Sequence, residues 1–465
     1  MNFNSVVFMF CFFPLALALY YLVPGKAKNA VLLAESLLFY CWGGIEWLPL
    51  MIVLVAVNYT AGLLMQKMPH GRGRKMVLIV AIAITAAALI FCKYTNFLID
   101  TLNTIASLRL SELDFLDVLP LGISYFTFKL ISYLADVYTG KTQAERNPVD
   151  FSAYVLMYPQ LIVGPIVKYR EISAALHTTR GRCTLPQIQR GAEMFTFGLA
   201  KKVILADSIA RLWQDIVGAT GIGLANASLP LAWLGIIAYS FQLYFDFSGY
   251  SEMSNGLSLM MGFDCPANFQ LPYTATSITD FWRRWHITLS GWFRDYIYIP
   301  LGGNRRGPAR QILNMLVVWA LTGIWHGANW NFICWGLYYF VLLVIEKNFL
   351  LPYLKKGKIW PHLYTLVLVV LGWGLFTCNL PGAPLGLLLR QLLIPHGGTS
   401  ALYFVRNYAV LLILCAVCST ALPQKLWQWC KRHTPVRLVV LAGCLVLCTA
   451  YVIASTESTA LYANF

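Results

Sequence analysis

The chain has 465 residues, 58% of them hydrophobic and only 12% charged, with mean hydropathy +0.62 and a formal charge of +15. A soluble domain carries about 25% charged residues, so the composition excludes a globular enzyme with one anchor and describes a polytopic membrane protein. Lys and Arg gather between apolar runs, as in positively charged cytoplasmic loops, so the basic balance calls for no nucleic-acid partner.

Apolar runs predict spans over residues 3–23, 31–45, 48–65, 76–91, 118–138, 193–217, 229–250, 312–324, 331–350, 362–378, 405–422 and 437–453. The N-terminus lacks the basic start and small-residue cleavage site of a signal peptide, so 3–23 is expected to be a retained span. The shorter runs imply tilt, re-entrance or a thinned bilayer, and eleven or twelve crossings are expected. The charge rule puts Lys26 and Lys28, the 67–75 loop and the 425–437 loop in the cytoplasm. The N-terminus, the acidic 111–117 loop and the C-terminal tail then fall outside.

Two middle segments do not read as ordinary spans. Residues 158–168 are too short to cross and are broken by Pro159, Gly164 and Pro165, which predicts a re-entrant element packed against protein or a water-filled cavity. Across 278–306, Trp282, Trp285, Leu289, Trp292 and Tyr296 recur at helical spacing beside Arg283, Arg284, Arg294 and Asp295. That pattern predicts a helix lying at the membrane interface. The twelve cysteines lie mostly alone in apolar segments, and Cys415-Ala-Val-Cys418 has no His or Asp neighbour, so packing is expected rather than metal, disulfide or redox chemistry. With no repeat, low-complexity tract or linker, residues 1–465 read as one domain.

His326 is the one side chain with a near-neutral pKa in the long apolar run 314–345. A charged group in hydrocarbon costs about 2.5 kcal/mol or more, so such residues usually face a cavity and carry function. A neutral imidazole can take a proton from a hydroxyl or thiol and return it, as acyl transfer requires. The plainer alternative is a histidine hydrogen-bonded between packed helices. Thr322, Asn329 and Asn331 are its polar companions, with Trp325, Trp330 and Trp335 as walls, and the asparagines could donate to a developing oxyanion.

His286 follows Phe281-Trp-Arg-Arg-Trp285, and from these residues alone a structural hydrogen bond is the better reading. Arg283 and Arg284 offer forked donors for phosphate or carboxylate, and fit interfacial snorkelling equally well. Asp246, Ser248, Tyr250, Glu252 and Asn255 cluster near one span, where acidic groups need partners or water. They could line a polar tunnel or pair with the arginines. No phosphate loop, nucleophile elbow or H-E-x-x-H is present, which argues for a catalyst acting on the substrates' own groups.

The run from Phe281-Trp-Arg-Arg-Trp-His286 through Phe293-Arg-Asp-Tyr-Ile-Tyr-Ile-Pro-Leu-Gly-Gly-Asn304, with Gly323-Ile-Trp-His-Gly-Ala-Asn-Trp330, resembles the membrane-bound O-acyltransferase (MBOAT) family. Leu119-Pro-Leu-Gly-Ile-Ser-Tyr125, Tyr158-Pro-Gln-Leu-Ile-Val-Gly-Pro165 and Tyr244-Phe-Asp-Phe-Ser-Gly-Tyr250 extend the likeness, which covers 119–340 and is nearest the bacterial alginate O-acetylation branch. It implies an all-α polytopic fold, with re-entrant and interfacial helices around a central tunnel in the bacterial cytoplasmic membrane. It places the principal catalytic histidine at His326 and a second functional histidine at His286, reversing the structural reading of the latter. Asp246, Asn255, Arg283, Arg284, Trp325, Asn329 and Asn331 are the expected substrate-binding set, with no metal.

The expected activity moves an acyl group, acetyl by branch, from a cytoplasmic thioester toward hydroxyls of an extracytoplasmic polysaccharide. No cofactor is permanently bound. The donor is acetyl-CoA or an acidic acyl carrier protein, attracted by the basic segments 168–202 and 305–310. An extracytoplasmic partner protein is expected to complete delivery, with membrane lipid as the solvent. D-alanyl transfer to teichoic acid, a transporter with a mid-membrane polar pathway and a non-catalytic scaffold are the alternatives.

Overall fold

The structure, a computed structural model, describes residues 2–116, 118–178, 183–218, 221–378, 383–395 and 397–454. Asp117 of the acidic loop, Arg180 and Arg182 of the basic segment and the tail 455–465 lie outside the described residues. Among the described residues the chain is helical, with one isolated bridge between Ala227 and Thr399. It divides into two compact units, Met1–Phe195 with Ser251–Ala267, and Thr196–Tyr250 with Asn268–Phe465.

The first unit holds α1 (Phe13–Leu22), α2 (Lys28–Gly44), α3 (Leu48–Lys67), α4 (Arg72–Ala106), α5 (Ile123–Tyr138), α6 (Pro148–Leu156), α7 (Tyr169–His177) and the start of α8 (Leu185–Ala200). The second takes up α9 (Asp207–Val217) after a π-helical stretch, Lys201–Ala206, and α10 (Leu229–Met260), whose last turns belong to the first unit. It continues through α11 (Ile278–Arg284), α12 (Ile287–Phe293), α13 (Pro308–His326), α14 (Trp330–Ile345), α15 (Leu351–Leu354), α16 (Trp360–Thr377), α17 (Leu385–Leu393), α18 (Ala401–Cys418), α19 (Leu422–Cys430) and α20 (Thr434–Ala454).

Among the described residues six helical stretches are long and apolar enough to cross a bilayer, and Phe8–Leu22 is a shorter apolar helix. The most apolar windows of α18 and α20 bury only 11% and 6% of their residues inside the protein. Such continuous apolar surface requires a lipid neighbour. Helices α4 and α10 run well beyond the predicted 76–91 and 229–250. In α10 the extra turns carry Ser251, Ser254, Asn255 and Ser258, all buried; their polarity looks like a span's end in sequence, but the helix continues inside protein, where Ser258 Oγ accepts from Gln160 and Asn255 Nδ2 donates to the Pro266 carbonyl.

Residues 158–168 are non-helical apart from one turn over Tyr158–Gln160 and are buried throughout. The Tyr158 amide donates to Ser36 Oγ at 3.0 Å, and Gln160 Nε2 donates to Ser258 Oγ at 3.3 Å. Gly122, at φ 69°, lets α5 start against this segment, since a Cβ there would meet the Leu161 carbonyl oxygen at 2.0 Å. Irregular backbone at membrane depth is stable when protein satisfies it in this way.

In the second unit, α13 and α14 form a hairpin with touching backbones. A Cβ on Gly323 would lie 2.4 Å from the Phe332 carbonyl oxygen, and one on Gly336 would lie 2.4 Å from that of Trp319. Small residues permit this approach in lipid, where packing drives helix association. Gly336→Ala is expected to destabilise the protein by about 1–3 kcal/mol through overpacking, read as a lower melting temperature in nanodiscs. Unchanged melting would mean that the helices do not cross at this separation.

Candidate functional site

The sequence pattern predicts one helix through 278–306, but the structure breaks it at His286. Helix α11 ends at Arg284, His286 adopts φ 44°, and α12 starts at Ile287. A left-handed conformation costs a non-glycine residue about 1–2 kcal/mol, so the surroundings must hold it. The segment beginning at Asn268 does so. The Ile287 amide donates to the Asn268 carbonyl at 3.0 Å, and the Gln270 amide donates to the Arg284 carbonyl at 2.9 Å. The bent chain thereby replaces the helical hydrogen bonds that the break removes.

The start of α11 is also held from a distance. Ser277 Oγ accepts the Asp280 amide at 2.9 Å, and the buried Glu346 carboxylate accepts the Ile278 and Thr279 amides at 2.7 Å each, as well as the Thr279 hydroxyl. A carboxylate at a helix N-terminus satisfies amides that lack intrahelical partners and complements the helix dipole. At the other end of the site, His326 is the last residue of α13. Gly327 follows with no room for a Cβ, which would lie 2.2 Å from the Phe332 ring.

Both imidazoles line one cavity of about 280 Å³. They are buried, His286 at 1% and His326 at 4% exposure, while Arg283, Arg294 and Lys347 on the same cavity are exposed. No carboxylate is among its lining residues. A cationic rim above two buried imidazoles suits an anionic ligand whose reacting end is uncharged. The volume lies at the lower end of ligand sites, room for a reacting group rather than a whole large donor.

Aromatic rings fix both histidines. His326 packs against Trp335 at 4.9 Å and Phe376 at 5.4 Å, each meeting it edge to face and the two touching one another. Trp325 bridges the pair, 4.9 Å from His326 and 6.1 Å from His286, and Phe247 meets His286 edge to face at 4.7 Å. Burial pushes the His286 pKa well below its ordinary value, so the ring is neutral at physiological pH.

The structure brings His286, His326, Arg283 and Trp325 together and places the other expected residues elsewhere. Arg284 ion-pairs with Asp280 at 3.0 Å and donates to Thr274 Oγ1 at 3.2 Å. Asn329 caps α14 by accepting the Asn331 amide, and Asn331 Nδ2 donates to the carbonyls of Leu375 and Phe376 at 3.2 Å. Asp246 is fully buried, with Oδ1 2.7 Å from Lys202 Nζ, which also meets Asp207 at 2.6 Å. Asn255 belongs to the first unit and donates to the Pro266 carbonyl at 3.1 Å. Lys202, and Lys168 with it, is therefore buried rather than part of a basic surface.

Sequence reasoning missed Asn268 and Glu346. Each acts on a segment far along the chain and carries no motif of its own. Among the described residues one set could offer three metal-ligand atoms within 4.8 Å of one another: Glu145, Asp150 and His177 of the first unit. Those groups already bond within the protein, His177 Nε2 to Glu145 at 2.8 Å and Asn29 to Asp150 at 2.6 Å. All twelve cysteines are free.

The profile of the membrane-bound O-acyltransferase family matches residues 125–378, which contain α11 through α14 and both cavity histidines. The chain is 41% identical over 382 residues to "Probable alginate O-acetylase AlgI" of Pseudomonas syringae pv. tomato, covering 81% of this chain and 72% of that protein. It is 34% identical to "Peptidoglycan O-acetyltransferase" of Helicobacter pylori, covering 80% of this chain and 76% of that protein. A "Teichoic acid D-alanyltransferase" of Streptococcus thermophilus is 29% identical, over 51% of this chain and 58% of its own. The extent of these matches, together with a helical apolar fold, establishes a multi-pass membrane protein that belongs to the membrane-bound O-acyltransferase family.

Proposed function

We propose that this protein transfers acetyl groups from a thioester donor to hydroxyls of an envelope polysaccharide, working in the bacterial cytoplasmic membrane. The observation that carries this reading is the convergence of two buried imidazoles on one cavity with a cationic rim and no carboxylate. His326 takes the proton of the accepting hydroxyl, whose oxygen attacks the thioester carbonyl carbon. The carbon–sulfur bond breaks, and the proton returns to the departing sulfur. His286 shuttles that proton.

Arg283, Arg294 and Lys347 would hold an anionic group on the donor, phosphate in coenzyme A or in a carrier protein's pantetheine arm. Acetyl is favoured over D-alanyl because the acetylating relatives match about four-fifths of the chain and the D-alanylating one about half. An extracytoplasmic partner protein would complete delivery to the polymer.

The test is thioester consumption by the purified protein in lipid, given acetyl-CoA, envelope polymer and native membrane partners. Acetyl esters on the polymer are the expected product. Consumption only with a D-alanyl carrier protein would overturn the acetyl assignment. Solute flux without any thioester would replace the acyltransferase reading with transport.

A further inference from the structure

Asn268 stands outside the sequence motifs, yet its side-chain oxygen collects three contacts at the break between α11 and α12. The Thr288 amide donates to Asn268 Oδ1 at 3.3 Å, Thr288 Oγ1 donates to it at 2.9 Å, and His286 Nδ1 lies 3.0 Å away. Asn268 and His286 are 2% and 1% exposed. A backbone amide can only donate, so the Asn268 atom at this point is the carbonyl oxygen and not the amide nitrogen. A nitrogen facing that acceptor must carry the hydrogen. The neutral ring therefore bears its proton on Nδ1 and a lone pair on Nε2, which has no hydrogen-bond partner among the described residues.

We infer that Asn268 is a positioning residue that locks His286 in the Nδ1–H tautomer, so that His286 enters acyl transfer as a proton acceptor at Nε2 rather than as an oxyanion donor. This rests on the acyltransferase reading above. When Nε2 takes a proton from a hydroxyl or thiol, the charge spreads to Nδ1–H, and Asn268 Oδ1 lies in place to accept the strengthened hydrogen bond. The Phe247 ring and the left-handed backbone hold the imidazole in that direction. No carboxylate faces it across the cavity; the titratable and charged groups there are His326 of α13, Arg283 of α11, Arg294 and the Tyr298 phenol just after α12, and Lys347 just after α14.

The experiment compares wild type, Asn268→Leu and Asn268→Asp, all reconstituted in lipid with 15N-labelled histidine. The His286 signals are assigned by their loss in His286→Gln. Wild type is expected to show a protonated Nδ1 and an unprotonated Nε2. Asn268→Leu is expected to lose that fixed pattern and to lower kcat by at least about tenfold, with KM for the thioester nearly unchanged. Asn268→Asp is expected to restore the pattern and much of kcat, with the acid limb of the pH profile moved upward because a carboxylate stabilises the imidazolium.

A wild-type Nε2 that carries the proton would overturn the inference, as would wild-type kcat in folded Asn268→Leu. The nitrogen signals need no turnover, so the two readings fail separately. Fixed tautomer without thioester consumption would sink the acyltransferase reading alone, and consumption with a mobile tautomer would sink only the role of Asn268.

Discussion

Replacing His326 with glutamine is expected to abolish acyl transfer, a loss of roughly 10²- to 10⁴-fold in kcat, while the protein still folds. Glutamine comes near the imidazole in size and polarity but has no nitrogen that accepts a proton near neutral pH. The rest of the cavity offers few substitutes. Arg283, Arg294 and Lys347 are cations, Ser290, Thr279 and Thr322 have hydroxyls, and Tyr298 is a phenol; His286 is the other imidazole. Glutamine is preferable to alanine because the ring is packed against Trp335 and Phe376, where a truncation would leave a hole beside two buried aromatic side chains. The measurement is single-turnover thioester consumption in lipid, alongside the melting temperature. Wild-type turnover by a folded His326→Gln protein would remove this imidazole from the chemistry and leave His286 as the candidate base.

The second large effect concerns stability. Asp246→Ala is expected to destabilise the protein by about 3–5 kcal/mol, because it takes one of two carboxylates from a fully buried ammonium. Lys202→Met should be similarly damaging, since Asp246 is itself inaccessible to water. The double replacement Lys202→Met with Asp246→Leu should recover most of the loss, because an apolar pair avoids the desolvation that burial imposes on two charges. Thermal unfolding of the three variants in nanodiscs tests this. It also decides between two roles for Asp246. Recovered stability with recovered transfer assigns the carboxylate to the scaffold. Recovered stability with transfer still absent assigns it to the substrate.

Part of the candidate site was legible in the chain because intramembrane chemistry is conspicuous in an apolar text. A lone imidazole inside 314–345 stands out against its neighbours because an ionisable group is costly there, and the structure places it on the same cavity as His286. Arg283 and Trp325 were found because they sit beside the two histidines in sequence. Arg284 shares that motif but turns to Asp280, four positions back, and away from the cavity. Adjacency in a motif places a residue near a site without saying which way its side chain points. The partner of Asp246 was hidden for a related reason: a buried carboxylate signals a partner, and from sequence alone a lysine 44 positions earlier was no better a candidate than a substrate.

Hydropathy by itself determined that lipid surrounds this protein, that its backbone is helical, and that 158–168 must be sheltered, since those conclusions follow from composition and from the need to satisfy every backbone group. Local spacing also marked 278–306 as amphipathic. Only the tertiary structure decided that this segment breaks at His286, because the groups that hold the break come from elsewhere in the chain. Asn268, which holds the break, lies 18 positions before His286, and Glu346, which anchors the start of α11, lies 68 positions after Ile278. Periodicity reports which face of a helix is apolar, but it carries no term for a distant side chain that replaces helical hydrogen bonds at one residue. The direction of the His286 ring, the tautomer it adopts and the cavity it shares with His326 are all set by such long-range contacts.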